Sequence, residues 1–237
     1  MTCILCWDHD EPVAVQPAPC PDSLDSAPAG ASLERVFERR KHNRERRTRD
    51  AHPHIGGLLL ALRGTPQHEF AFHQGAVAER AVADSLAKRT ADSPVVTLHN
   101  RRMPGGRGDI DHIAIAPTGV YVIDTKDWKG KVQIETPWFG AAKLLIRGRD
   151  RTTLIDGLER QITAVRDALD RSGHHEIAIH GALCFTQADL PFLRTQKFRG
   201  HLHRKALAKR LNADGPLSPP ALTNLAHHLD LALPPAR

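Results

Sequence analysis

The sequence predicts an α/β protein in which a mixed β-sheet is flanked by helices, with a basic N-terminal helix ahead of the core and a small helical C-terminal tail behind it. Three observations carry that expectation. Strand-like runs cluster in "SPVVTLHNRRM" and "GDIDHIAIAPTGVYVIDTK". A long amphipathic helix follows them, and a further strand-like run, "EIAIHGALCFT", follows the helix. Strand, helix and strand in that order make a β-α-β crossover, the connection that joins parallel strands within one sheet.

The elements follow in order along the chain. Residues 1–31 are rich in Pro, Ala, Ser and Asp without periodicity, which predicts a disordered tail. Ser32 is placed to cap a helix, "SLERVFERRKHNRERRTRD". Its apolar residues Leu33, Val36 and Phe37 make a stripe too short to bury it, so residues 32–68 read as a basic helical arm and linker. Such a helix is either solvated and laced with ion pairs or an arm that lies on nucleic acid.

The core spans residues 69–200. It opens on a helix in which Ala78, Val82 and Leu86 recur at four-residue spacing. A short strand leads into the Gly-rich turn "PGGRG", the hairpin-like pair of strands follows, and "GKVQIE" reads as a further strand. "AKLLIRGRD" is a weaker strand signal. The clearest helix then places Leu154, Leu158, Ile162, Val165 and Leu169 on one side. Residues 201–237 hold a short helix over Arg204–Asn212 and a final amphipathic helix that runs to about Leu233.

The chain has 237 residues, a formal net charge of +6 and 41% hydrophobic residues, so a true core is expected. The basic balance favours anionic partners and speaks to association rather than fold. No run approaches the roughly 18–20 apolar residues that span a bilayer. The N-terminus "MTCILCWDHDE" lacks the basic, then apolar, pattern of an export signal, so a cytoplasmic protein without membrane partners is expected. In that compartment the four cysteines read as thiols or metal ligands rather than disulfides.

The chemistry concentrates in the pair of strands. Alternation sets Asp109, Asp111, Ile113 and Ile115 on one face of the first, and Val120, Val122, Asp124 and Lys126 on one face of the second. "APTG" (Ala116–Gly119) closes a hairpin, with Gly119 free to take positive φ. Ile115 then pairs with Val120, and Asp111 falls opposite Asp124. Like charges so placed repel unless a cation sits between them. Two converging carboxylates hold Mg²⁺, a hard cation that takes oxygen ligands and keeps several waters, and Lys126 lies beside them. Glu79 shares an azimuth with Leu86, and Gln161 lies on the apolar stripe of its helix, so both face inward.

These residues resemble a family. "GAVAERAV" and "RGDIDHIAIAPTGVYVIDTKDWKGKV" look like the nuclease-related domain (NERD), a branch of the PD-(D/E)xK phosphodiesterase superfamily. The resemblance spans roughly residues 71 to 190 and implies a restriction-endonuclease-like core. The superfamily pattern of a helical Glu, a strand Asp, then Asp/Glu-x-Lys is met by Glu79, Asp111, Asp124 and Lys126. Gln161 resembles the Gln that RecB-like members carry on the next helix, although the Tyr common four residues later is Val165 here. The pattern and the pairing geometry both choose Asp111 over Asp109 as the metal ligand.

The resulting expectation is metal-dependent hydrolysis of nucleic acid, DNA ahead of RNA, with Mg²⁺ or Mn²⁺. Asp111 and Asp124 hold the metal, Glu79 completes or supports the site, Lys126 assists the water, and Gln161 positions a partner. Arg101, Arg102 and Arg107, which flank the Gly-rich turn, are placed to contact phosphate. A nuclease that cuts both strands is often a homodimer. The alternatives are a non-catalytic nucleic-acid-binding or regulatory module on a nuclease fold, and a protein that works through a protein partner.

Other signals are weaker. Cys3, Cys6, His9 and Cys20 have spacings that zinc sites use, yet one C-x-x-C falls short of the paired knuckles that mark such sites, so Zn²⁺ is not expected there. Cys184 reads as a small core residue. His112 points away from Asp111 and reads as packing or a supporting contact. Trp128 and Trp138 read as core or lid residues able to stack on bases.

Overall fold

The computed structural model describes residues 2–4, 28–53, 60, 67–106, 108–135, 142–189 and 204–236. Among them are seven strands and five helices: β1 (Thr2–Ile4), α1 (Ala31–Ala51), α2 (Gln67–Arg89), β2 (Val96–Arg102), β3 (Asp109–Ala116), β4 (Gly119–Glu135), β5 (Lys143–Ile146), β6 (Arg149–Asp150), α3 (Thr153–Arg171), β7 (Ile179–Asp189), α4 (Arg204–Leu211) and α5 (Pro219–Ala232).

The β3–β4 hairpin forms as the alternation requires. Ala116 pairs with Gly119 and Ile115 with Val120, leaving Pro117 and Thr118 as the turn. Gly119 has φ 133, and a Cβ there would lie 2.6 Å from the Ala178 carbonyl oxygen, so only glycine fits. β2 adds antiparallel to β3, while β7 adds parallel to β4 after the α3 crossover. The order across the sheet is β1-β7-β4-β3-β2, with β5 and β6 extending from the far half of β4. This is a mixed sheet with helices on both faces, an α/β restriction-endonuclease-like core.

Each sheet face builds its own core. On one, Ile113, Ile115, Val120 and Val122 pack with Leu158 and Val165 of α3 and with Leu222, Leu225 and Leu229 of α5. On the other, Ala114, Tyr121, Ile123 and Ala182 pack with Val82 and Leu86 of α2 and with Leu207 and Leu211 of α4. Each buried aliphatic side chain of this size contributes about 1.5–3 kcal/mol. The two C-terminal helices are therefore part of the core rather than a tail. A buried ion pair between Arg101 of β2 and Asp230 of α5 fastens them further.

Several local expectations are corrected. "GKVQIE" is no separate strand: β4 runs unbroken from Gly119 to Glu135, with a register shift against β7 between Lys126 and Lys129. "AKLLIRGRD" folds back as the two-stranded β5–β6 hairpin. Gly30, at φ 77, caps α1 in place of Ser32. Ser32 Oγ instead donates to Asn100 Oδ1 at 2.8 Å. Within the expected disordered tail, Thr2–Ile4 pair antiparallel with β7, Cys3 opposite Cys184. Cys184 is disulfide-bonded, which corrects its reading as a thiol. The rest of that tail up to residue 27 lies outside the described residues, and so does most of the linker that follows α1.

Candidate active site

The site forms where β3 loses its partners. Paired residues run along β3–β4 as far as His112 and Ile123, and the next positions in that register are Asp111 and Asp124. There a side chain takes over from the backbone: the Thr125 N–H donates to Asp111 Oδ2 at 2.6 Å. On the other side of β3, His99 pairs with His112 and Arg101 with Ile110. Asn100 between those pairs takes φ 53, a left-handed conformation rare outside glycine. Asp111 thus occupies a break in the ladder on both flanks.

Asp124 is 4% exposed, and its two oxygens have different partners. Lys126 Nζ lies 2.7 Å from Oδ2, and Gln161 Nε2 donates to Oδ1 at 3.2 Å. Lys126 also donates to the Thr125 carbonyl at 3.3 Å. Gln161 comes from α3 on one face of the sheet, whereas Glu79 comes from α2 on the other. The opening between β3 and β4 lets residues from both faces meet.

The charges are strongly coupled. Burial pushes the Glu79 carboxyl up to about 7, and the charges of Asp124 and Asp109 add to that push, while the Gly30 N–H and Lys126 oppose it. Burial also holds Asp111 well above the usual carboxylate range, with Asp124 and Glu79 acting in the same direction. For Lys126, burial alone would lower the pKa, but Asp124, Asp111 and Glu79 outweigh it and hold the ammonium above its ordinary value. One cation is surrounded by three acids, a surplus of negative charge in a dry place.

The donor set suits a hard divalent cation. Glu79 Oε2 and Gln161 Oε1 are buried with no hydrogen-bond partner, which leaves oxygen lone pairs to be satisfied by a cation or its waters. Carboxylate and amide oxygens match Mg²⁺ or Mn²⁺. Among the described residues, no three His, Cys, Asp or Glu side chains gather closely enough to hold a metal by themselves. Asp111 and Asp124 with waters therefore fit better than a closed cage.

Several supporting residues are invisible to local sequence patterns. The Gly30 N–H reaches Glu79 from the turn before α1. A Cβ at Gly30 would come within 2.5 Å of the Ala76 carbonyl, so this close approach needs glycine. Asn100 Nδ2 donates to the Pro28 carbonyl at 2.7 Å, and its own carbonyl accepts from the Ala236 N–H at 2.8 Å. The N-terminal turn, β2 and the C-terminus thus join beside Asp111. His112 makes the supporting contact: Nε2 lies 3.2 Å from Thr125 Oγ1, and Nδ1 lies 2.8 Å from His99 Nδ1. Burial, aided by His99, pushes His112 down to about 3, so the ring stays neutral.

Of the three arginines expected to meet phosphate, Arg101 is fully buried against Asp230 and does not reach solvent, a correction. Arg102 is exposed, and Arg107 lies outside the described residues. Cys6, His9, Cys20 and Trp138 also lie outside them, as does the Cys3 side chain. Among the described residues, no helix is long and apolar enough to cross a membrane.

Residues 74–186 match the family model of the nuclease-related domain, NERD. No curated protein and no solved structure matches the chain. The matched segment contains Glu79, Asp111, Asp124, Lys126 and Gln161, and it leaves out α1, α4 and α5. The part of the chain that carries the five site residues, residues 74–186, is thus similar to the nuclease-related domain, NERD, whose general context is the PD-(D/E)xK superfamily.

Proposed function

We propose that the protein hydrolyses phosphodiester bonds of nucleic acid, DNA ahead of RNA, using Mg²⁺ or Mn²⁺ held by Asp111 and Asp124. The observation that carries this reading is the division of Asp124 between Lys126 and Gln161 next to the unpaired stretch of Asp111. A structural ion pair needs no third acid, yet Glu79 is buried beside it with an oxygen unsatisfied.

A divalent cation bound there supplies charge neutralisation at the phosphoryl oxygens and makes water more acidic. The chain's own residues do the rest. Lys126, kept charged by the acids around it, donates to the attacking water or to a phosphoryl oxygen as charge builds on it. Gln161 fixes the Asp124 carboxylate so that Oδ2 keeps its place. Glu79 acts as a supporting carboxylate rather than a third ligand, buried beside Asp124 and Lys126. The net charge of +6 favours a polyanionic substrate.

A second reading, a nucleic-acid-binding module without catalysis, draws on the lack of a three-ligand cluster among the described residues. Incubating the full chain with labelled single- and double-stranded DNA and RNA, in Mg²⁺, Mn²⁺ or EDTA, separates the two. Cleavage that needs the cation and falls at least about a hundredfold in Lys126→Ala supports the nuclease. Binding without cleavage under every condition supports the module.

A further inference from the structure

A cavity of about 580 Å³ lies beside the β5–β6 hairpin, and its lining includes Asp127, Trp128, Lys129, Arg147, Arg149 and Arg151. Four cations thus surround one carboxylate. Asp127 Oδ1 is already engaged, accepting from Thr186 Oγ1 at 2.6 Å and Gln187 Nε2 at 2.5 Å. Among the described residues, none of the four cations forms an ion pair with a carboxylate. Gathering like charges around a concave surface costs free energy unless an anion enters.

The geometry favours a ligand over a merely solvated patch. The Arg151 guanidinium stacks 4.7 Å above the Trp128 ring, and its Nε is buried without a hydrogen-bond partner. Trp128 is half-buried and packs against the core, so the stacked pair is a fixed platform. Arg147 takes φ 53, an unfavourable conformation for a side chain of that size. It lies so close over Gly130 that a Cβ there would be 2.7 Å from Arg147 Cγ. Arg147 and Gly148 are the two-residue turn of this hairpin, both at positive φ, and that turn holds Arg147 over Gly130.

The cavity lies further along β4 from the acids. Trp128 is two residues beyond Lys126 on β4, about 7 Å along the strand. The register shift between Lys126 and Lys129 lies at this point, and such irregularities re-aim side chains next to sites.

We propose that this cavity binds a single-stranded nucleic-acid segment, with phosphates on Lys129, Arg147 and Arg149 and one base against the Arg151–Trp128 pair, and that it leads the strand to Asp111 and Asp124. The leading role rests on the nuclease reading; the binding does not. A half-open cavity of this size has room for a nucleotide or two, whereas a stacked duplex presents no free base face to an aromatic platform.

The test is binding of the full-length protein in EDTA to a fluorescein-labelled dT15 oligonucleotide and to a labelled duplex of the same length, by anisotropy across a salt series. The wild type should prefer dT15. Arg147→Ala/Arg149→Ala should lower the slope of log K against log salt by about 1.4, because two phosphates of the single strand are then no longer neutralised. Arg149→Ala alone, at an exposed position, should lower it by about 0.7. Trp128→Leu, checked for folding by circular dichroism, should weaken dT15 about tenfold and leave the duplex unchanged. Unchanged slopes in both arginine variants overturn the cavity as the binding site, and equal or tighter duplex binding through the same arginines overturns the single-strand assignment. Cleavage of dT15 by the wild type in Mg²⁺, run alongside, keeps the two readings apart: if no cation-dependent cleavage is found but dT15 binding still depends on Arg149, the nuclease reading falls and the cavity stands.

Discussion

Asp124 binds two side chains that come from different parts of the chain, and each should report differently when removed. Asp124→Asn keeps the shape and removes the charge, so cation-dependent cleavage should fall at least about a hundredfold while the thermal midpoint hardly changes. Gln161→Ala frees Asp124 to rotate and should lower kcat about tenfold, as misplacement of a catalytic group does. Glu79 gives a pH signature. Its folded pKa of about 7 lies above the ordinary glutamate value of 4.5, so the stability it contributes is full below pH 4.5 and is lost as pH rises through 7. In EDTA the protein should therefore lose on the order of 3 kcal/mol between those limits through this group, and Glu79→Gln should flatten that part of the curve. Urea unfolding at several pH values checks this. Alternation along two strands and the helical period turned Asp109, Asp111, Asp124, Lys126, Glu79 and Gln161 inward, and the pairing register together with the family resemblance chose Asp111 over Asp109. Arg101 was not legible, since an arginine beside another arginine reads as exposed. Its partner Asp230 stands 129 residues away, and no local pattern announces it.

Among the elements, the strands and helices of the core follow from hydrophobic period, and the β3–β4 register follows from the turn. β4 was harder to read because "DWKGK" carries charge and a glycine where a break is expected. The strand continues because β7 keeps pairing with it beyond the irregularity, at Gln187, Ala188 and Asp189. The start of α1 was likewise set at long range: Gly30 serves because α2 lies against it, not because of its own neighbours in sequence. Asn100 ties these pieces together, so Asn100→Ala loses its bonds to Ser32 and Pro28. It should destabilise the protein by about 1–3 kcal/mol, measured by urea unfolding. Hydrogen exchange should rise at the N-terminal turn of α1 and at Ala236, while the centre of β4 stays protected.

The molecule as a whole is larger than its family segment. α4 and α5 lie outside residues 74–186, yet Leu211, Leu222, Leu225, Leu229 and Leu233 are fully buried. A chain ending before Arg204 should therefore fail to fold cooperatively in a calorimeter. The buried Arg101–Asp230 pair makes the same point with a single residue. Asp230→Ala breaks a buried ion pair and should cost about 3–5 kcal/mol, whereas adding Arg101→Met should recover part of that loss. These expectations concern stability and hold whatever the site does.

If the acids of β3 and β4 hold a cation for hydrolysis, one comparison exposes it. A single labelled DNA oligonucleotide is incubated with the wild type and with Asp124→Asn, each in Mg²⁺ and in EDTA, with both proteins shown to be folded. The wild type should cleave in Mg²⁺ alone, and the variant should be inert in both. Cleavage that persists in EDTA, or that is equal in the two proteins, would mean that the acids serve some other purpose.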